Sequence, residues 1–191
     1  MNKILKILII SDVLIYFGIG LVSPIFSIFI KDNLAGGTLA AAGLAVALFL
    51  GIKSIFQIIF AKIFDFKDRF NMLIIGTFLL ALTPFIYLIS RNIYTVYLAQ
   101  FAYGLGVALA SPAWLNLFTL NINKKKPGLE WSVYTTSVGM GMGIAGFLGA
   151  LLASKFGFNL IFILNGLFVI AGATVLFRLY NLINKNSKRR K

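Results

Sequence analysis

The chain reads as an all-α membrane protein: six transmembrane helices arranged as two inverted three-helix repeats, with both termini in the cytoplasm. Three observations predict this. Of its 191 residues, 60% are hydrophobic and the mean hydropathy is +0.94, whereas soluble domains are about 45–50% apolar. The apolar residues fall into six runs, and a helix of roughly 20 residues crosses a hydrocarbon core of about 30 Å. Basic residues, finally, gather in alternate breaks between those runs.

The predicted spans cover 4–30, 38–64, 72–89, 94–120, 131–153 and 160–182, so that 1–182 is one six-helix bundle and 183–191 a basic cytoplasmic tail. The first begins after "MNKILK" and stays apolar for 27 residues without a small-residue cleavage site, which favours a membrane helix over a secretory signal. It carries Asp12 and Tyr16 and is interrupted by Pro24. The second holds Lys53 and Gln57, the third Pro84, and the fourth Gln100 and Pro112. Each of these prolines removes a backbone donor inside a span and is expected to kink or loosen it. The fifth is rich in small residues, and there Gly139, Gly143 and Gly146 share one face while Ala145 and Gly149 share another. At that spacing the glycines, Gly149 included, are expected to let helix backbones pack closely. The breaks "KDNLAGG", "DFKDRFN", "SRNI", "NINKKKPGLE" and "SKFGFN" carry turn and charge signals.

The formal net charge of +13 raises nucleic acid as a partner. The positions of the 18 basic residues argue otherwise. With the amino terminus inside, Lys3, Lys6, Lys62, Lys67, Arg69, Lys124, Lys125, Lys126, Arg178 and the tail are cytoplasmic. Only Lys31, Arg91 and Lys155 lie outside, and Lys53 is within a span. This asymmetry is the positive-inside pattern of a multi-pass cell-membrane protein, so the lipid bilayer is the expected partner and nucleic acid is not. Contact with anionic head groups is a compatible second role for the basic segments. Trp114 and Trp131 read as interfacial or packing aromatics.

The two halves of the chain show a weak repeat. "YFGIGLVSP" in the first span answers "YGLGVALASP" in the fourth, and "FLGIK" in the second answers "FLGAL" in the fifth. Two three-helix units with an odd number of spans each have opposite orientations, the inverted arrangement common in secondary transporters.

These features together resemble the amino-terminal six-helix half of the major facilitator superfamily. The loop pattern Gly-x-x-x-Asp-basic-x-Gly-basic-basic of that family is matched by "AKIFDFKDRF" at Asp65 and Arg69. The fourth span, "QFAYGLGVALASPAW", keeps Gly104, Gly106 and Pro112, with Gln100 where family members often carry arginine. The glycine-rich fifth span is similar to the family's fifth helix but lacks the proline common in exporters. The resemblance implies half of a twelve-span fold, hence a half-size transporter that pairs with a second copy or a separately encoded six-helix half. It also implies that Asp65 and Arg69 are gating-loop charges that help hold one access state.

A charged residue at a helix centre costs about 2.5–3.5 kcal/mol on insertion scales, so Asp12 and Lys53 ask for an explanation. They lie at similar depth on adjacent spans and are expected to pair. A carboxylate beside an ammonium stays ionised, whereas one isolated from water takes up a proton more readily. A changing Asp12–Lys53 distance would therefore link proton uptake to conformation; the competing role is a fixed bridge between two helices. The substrate or proton site predicted from this reasoning comprises Asp12, Tyr16, Lys53, Gln57 and Gln100, lining a sparsely polar cavity between helices.

Without Cys or His the chain has no disulfide, no usual zinc ligand set and no histidine proton shuttle. No metal or cofactor is expected. With no pair of acids in one span either, an intramembrane enzyme lacks equipment. The predicted function is a half-size secondary transporter of a small organic solute, proton-coupled, working by alternating access as a homo- or hetero-dimer. The alternative is a noncatalytic membrane interaction or accessory protein, or a truncated half without transport activity.

Overall fold

Helix formation follows the apolar runs. The computed structural model describes residues 1–63 and 69–188, the side chains of 69 and 180–188 excepted. Seven α-helices account for nearly all of them: α1 (Lys3–Val22), α2 (Phe26–Asn33), α3 (Leu39–Ile63), α4 (Arg69–Ile89), α5 (Ile93–Asn121), α6 (Pro127–Phe156) and α7 (Phe158–Lys188). A 3-10 turn at Ser23–Ile25, centred on Pro24, joins α1 to α2, and together they make the first of six helices, among the described residues, long and apolar enough to cross a membrane. Pro84 and Pro112 by contrast sit inside uninterrupted helices. The helices α3 to α7 supply the second to sixth spans.

Local chemistry sets several helix ends. Asn92 caps α5 by accepting the Thr95 N–H at 3.1 Å, as a side-chain oxygen at this position does for an otherwise unpaired donor. Pro127 stands at the start of α6, where its missing N–H costs nothing and its fixed φ suits the first turn. The fifth span, α6, thus begins inside the segment "NINKKKPGLE".

Packing divides the spans into two kinds. The first lies against the fifth and sixth, the fourth against the second and third, and the third against the sixth. In the second and fifth spans only 6% and 11% of the apolar window is buried, against 39% to 50% in the other four. The core is correspondingly built from the first, third, fourth and sixth. One cluster, with Leu5, Leu8, Trp114, Phe118 and Leu176, fills the end that carries the amino terminus. Another, with Phe29, Ile30, Tyr87, Val96 and Phe162, fills the far end. At the far end the backbone N–H of Ala35 donates to the Arg91 carbonyl at 3.0 Å and the Ile93 N–H to the Ala35 carbonyl at 3.1 Å, clipping two loops together.

The fifth span corrects one expectation. A Cβ added at Gly139 or Gly143 would meet nothing within 4 Å, so these two do not mediate packing in this bundle. Gly146 stands at ordinary distance from Pro24, 3.7 Å. Gly149 is the close approach, its missing Cβ leaving room for the backbone of Leu21, with buried Ala145 a turn earlier on the same face. Two small-residue stripes run along this helix, and the one bearing Ala145 and Gly149 faces the first span.

Candidate functional site: two chambers along the bundle axis

Two cavities lie end to end within the bundle, about 320 Å³ nearer the amino-terminal end and about 230 Å³ farther from it. Both are bordered by Ile19, Phe49, Leu80 and Tyr103. Phe49 and Tyr103 stack with ring centroids 4.7 Å apart, and this pair forms the waist between the chambers.

Asp12 lines the near chamber, nine residues beyond the start of α1 at Lys3 and so about 14 Å along a helix that rises about 1.5 Å per residue. Asp12 is 9% exposed. The Tyr134 hydroxyl, on the fifth span, donates to its Oδ2 at 2.8 Å. The Tyr134 ring in turn lies 4.6 Å from Trp114, which stacks on Phe118 at 4.9 Å. An acid in a membrane bundle is thereby held by one charge-assisted hydrogen bond in an aromatic corner, with the Trp114 Nε1 buried nearby and without a partner among the described residues.

Lys53 lines the same chamber, yet no ion pair joins it to Asp12 among the described residues. The expected pairing is corrected by the packing. The first and second spans meet mainly through α2 and α3, while at the depth of Asp12 the neighbours of α1 are the fifth and sixth spans. The carboxylate therefore turns to Tyr134 and leaves Lys53 on another wall. Tyr16 lines this chamber with them. Gln100 lines the far chamber instead, and Gln57, half-buried, borders neither. Asp65 lies outside the described residues, and of Arg69 only the backbone, at the start of α4, is described.

Sequence reasoning passed over two groups that the structure brings to these chambers, Tyr134 and Asn165, and read Trp114, which also lines the near one, as an interfacial or packing aromatic. Asn165 lines the far chamber from the sixth span, 6% exposed, and its Oδ1, like Gln100 Oε1, has no partner among the described residues. A signal for Asn165 was available, since an uncompensated amide in an apolar span is costly. Tyr134 carries no such signal, because its phenol suits a membrane helix whichever way it faces.

The profile of the Major Facilitator Superfamily matches residues 8–191. The chain belongs to this superfamily. It is similar to the uncharacterized MFS-type transporter MJ1560 of Methanocaldococcus jannaschii, 22% identical over 174 residues that make 90% of this chain and 45% of that protein. It is also similar to the quinolone resistance protein NorA of Staphylococcus aureus, 26% identical over 153 residues, 78% of this chain and 39% of NorA. Among solved structures it superposes on the POT family transporter PepTSo with a TM-score of 0.71 at 15% identity, covering 93% of this chain and 37% of that one. The chain thus spans less than half the length of these relatives. The shared fold is that of a membrane transporter family, and the two chambers lie inside a six-helix portion of it.

Proposed function

We propose that this chain is one six-span half of a secondary transporter that moves a small organic solute by alternating access, with Asp12 as its proton-carrying group. The observation that carries the reading is the placement of Asp12: a buried carboxylate, on the wall of an internal chamber, in a bundle of a transporter family. Intramembrane acids that face a cavity rather than lipid commonly mark ion or proton pathways. Lys53, on another wall of the same chamber and not paired with Asp12 among the described residues, can approach or recede as the helices move. That supplies the electrostatic coupling between charge and conformation.

The span pairing supports the repeat. Exchanging first with fourth, second with fifth and third with sixth maps the most extensive span contacts onto one another, although the smaller contacts of the first with the second and the fifth with the sixth have no comparable counterpart. Two inverted three-span units with both termini on the cytoplasmic side agree with that exchange and with the distribution of lysines. The second and fifth spans, the least buried, each bring one polar residue to the near chamber, Lys53 and Tyr134. A second copy or a separately encoded six-helix half seated on those spans would complete the chamber's wall and place the assembly in the cell membrane as a dimer. Asp65 and Arg69 keep their proposed role as gating charges toward that partner.

Proteoliposomes test the coupling. NorA's name makes a quinolone the first solute to try, with an internal pH dye reporting proton movement. The wild-type assembly is expected to move protons on quinolone addition, and Asp12→Asn to abolish this while the protein still folds. Unchanged proton movement in Asp12→Asn removes Asp12 from the mechanism. The alternative reading is a noncatalytic accessory half. In that case the purified chain alone moves nothing and co-purifies with a different multi-span protein.

A further inference from the structure

We infer that the far chamber is a binding site for a neutral, single-ring molecule carrying a primary carboxamide. Two buried amides set the chemistry. Gln100 and Asn165 are 5% and 6% exposed, line the same cavity from the fourth and sixth spans, and each has a side-chain oxygen without a partner among the described residues. Buried polar groups are otherwise almost always paired, and an unpaired one in a low-dielectric interior is costly. The other polar side chains on the wall are the hydroxyls of Ser23, Thr83, Tyr87 and Tyr103, and Thr83 is already committed as a donor to the Leu79 carbonyl at 3.1 Å.

The lining of this chamber contains no carboxylate, ammonium or guanidinium. A charged ligand would lose its hydration without a counter-ion, which selects a neutral occupant. Primary amides offer one acceptor and two donors on neighbouring atoms, and the group that answers both is another primary amide. That match survives rotation of either side chain by half a turn, which exchanges its oxygen and nitrogen. Size points the same way. A dry cavity of about 150 Å³ takes benzene, so about 230 Å³ holds one ring and a small polar substituent. Phe26, Phe49, Val22 and Val169 provide the apolar wall for the ring.

Asn165 lies closely against the first span. A Cβ on Gly18 would stand 2.9 Å from both the Asn165 carbonyl and its Oδ1, so glycine there permits the amide to lie over α1. The polar groups of the site come from the first, third, fourth and sixth spans of the bundle core and do not depend on a partner.

As the naming of a solute class this rests on the transport reading, but its test is binding alone, so its failure leaves the role of Asp12 untouched. The chain in lipid nanodiscs is dialysed against radiolabelled benzamide, benzoate and ethylbenzene, with empty nanodiscs subtracting uptake by lipid. Benzamide is expected to saturate at one per chain and to bind at least about tenfold tighter than either analogue. Gln100→Leu and Asn165→Leu are each expected to weaken benzamide about tenfold, the usual consequence of removing one partner of a buried hydrogen bond, while leaving ethylbenzene unchanged. Ethylbenzene binding as tightly as benzamide overturns the proposal, as does the absence of saturable benzamide binding, which would assign the cavity to ordered water. Unchanged affinity in both leucine variants overturns it too. If one variant does not fold, the other and the comparison of the three ligands on the wild-type chain decide.

Discussion

Tyr134 and Asp12 are 122 positions apart in the chain and meet through a single 2.8 Å hydrogen bond. Removing the donor with Tyr134→Phe leaves the carboxylate without its one protein donor among the described residues. Hydrogen bonds between membrane helices are worth about 0.6 kcal/mol on average and up to about 1.7, and bonds to charged groups lie at the upper end. Tyr134→Phe is therefore expected to destabilise the bundle by about 1–2 kcal/mol, read from unfolding in mixed micelles. In an Asp12→Asn background the same substitution should cost less than half as much, and equal costs in the two backgrounds would show that the phenol acts through packing against Trp114 alone. That Asp12 needed an explanation was legible from its place in "ILIISDVLIYFGIG". Its partner was not, because depth along a helix is a property of sequence whereas direction across a bundle is set by which spans touch.

The same distinction governs whole helices. Apolar length is local, so the runs announce membrane-capable helices, and the Ser-Pro in the first of them foreshadows its 3-10 interruption. The inward face of the fifth helix is not local. Its two stripes of small residues are equally compatible with close packing, and the helix has no strongly polar side to orient it. Only contact with Leu21 distinguishes Gly149 from Gly143. Gly149→Ala is expected to push α6 from α1 and lower the melting temperature by several degrees. Gly143→Ala, with open space beyond its Cα, should stay within about 0.5 kcal/mol of wild type. A larger loss at Gly143 would mean that its face is covered in the native assembly.

At the scale of the molecule, the two lightly buried spans mark the side on which a second six-span unit is proposed to sit. A cysteine at position 143, in a chain that has none of its own, probes this directly. In vesicles Gly143→Cys is expected to form a disulfide-linked dimer on mild oxidation if two copies face each other there, whereas Ile75→Cys, exposed on the third span, should not. No cross-link at 143, together with recovery of another multi-span protein, would favour a hetero-assembly.

The clip between Ala35 and the Arg91–Ile93 segment has a mechanical meaning for such a device. It rivets two helical hairpins at one tip through backbone bonds, as tongs are riveted, whereas the end near the amino terminus is tied by side-chain and terminal groups, Asn2 Nδ2 to Asn121 Oδ1 at 3.0 Å and the Met1 ammonium to Glu130 at 3.5 Å. Breathing at the end beside Asp12 then has to part those two latches before water reaches the aspartate.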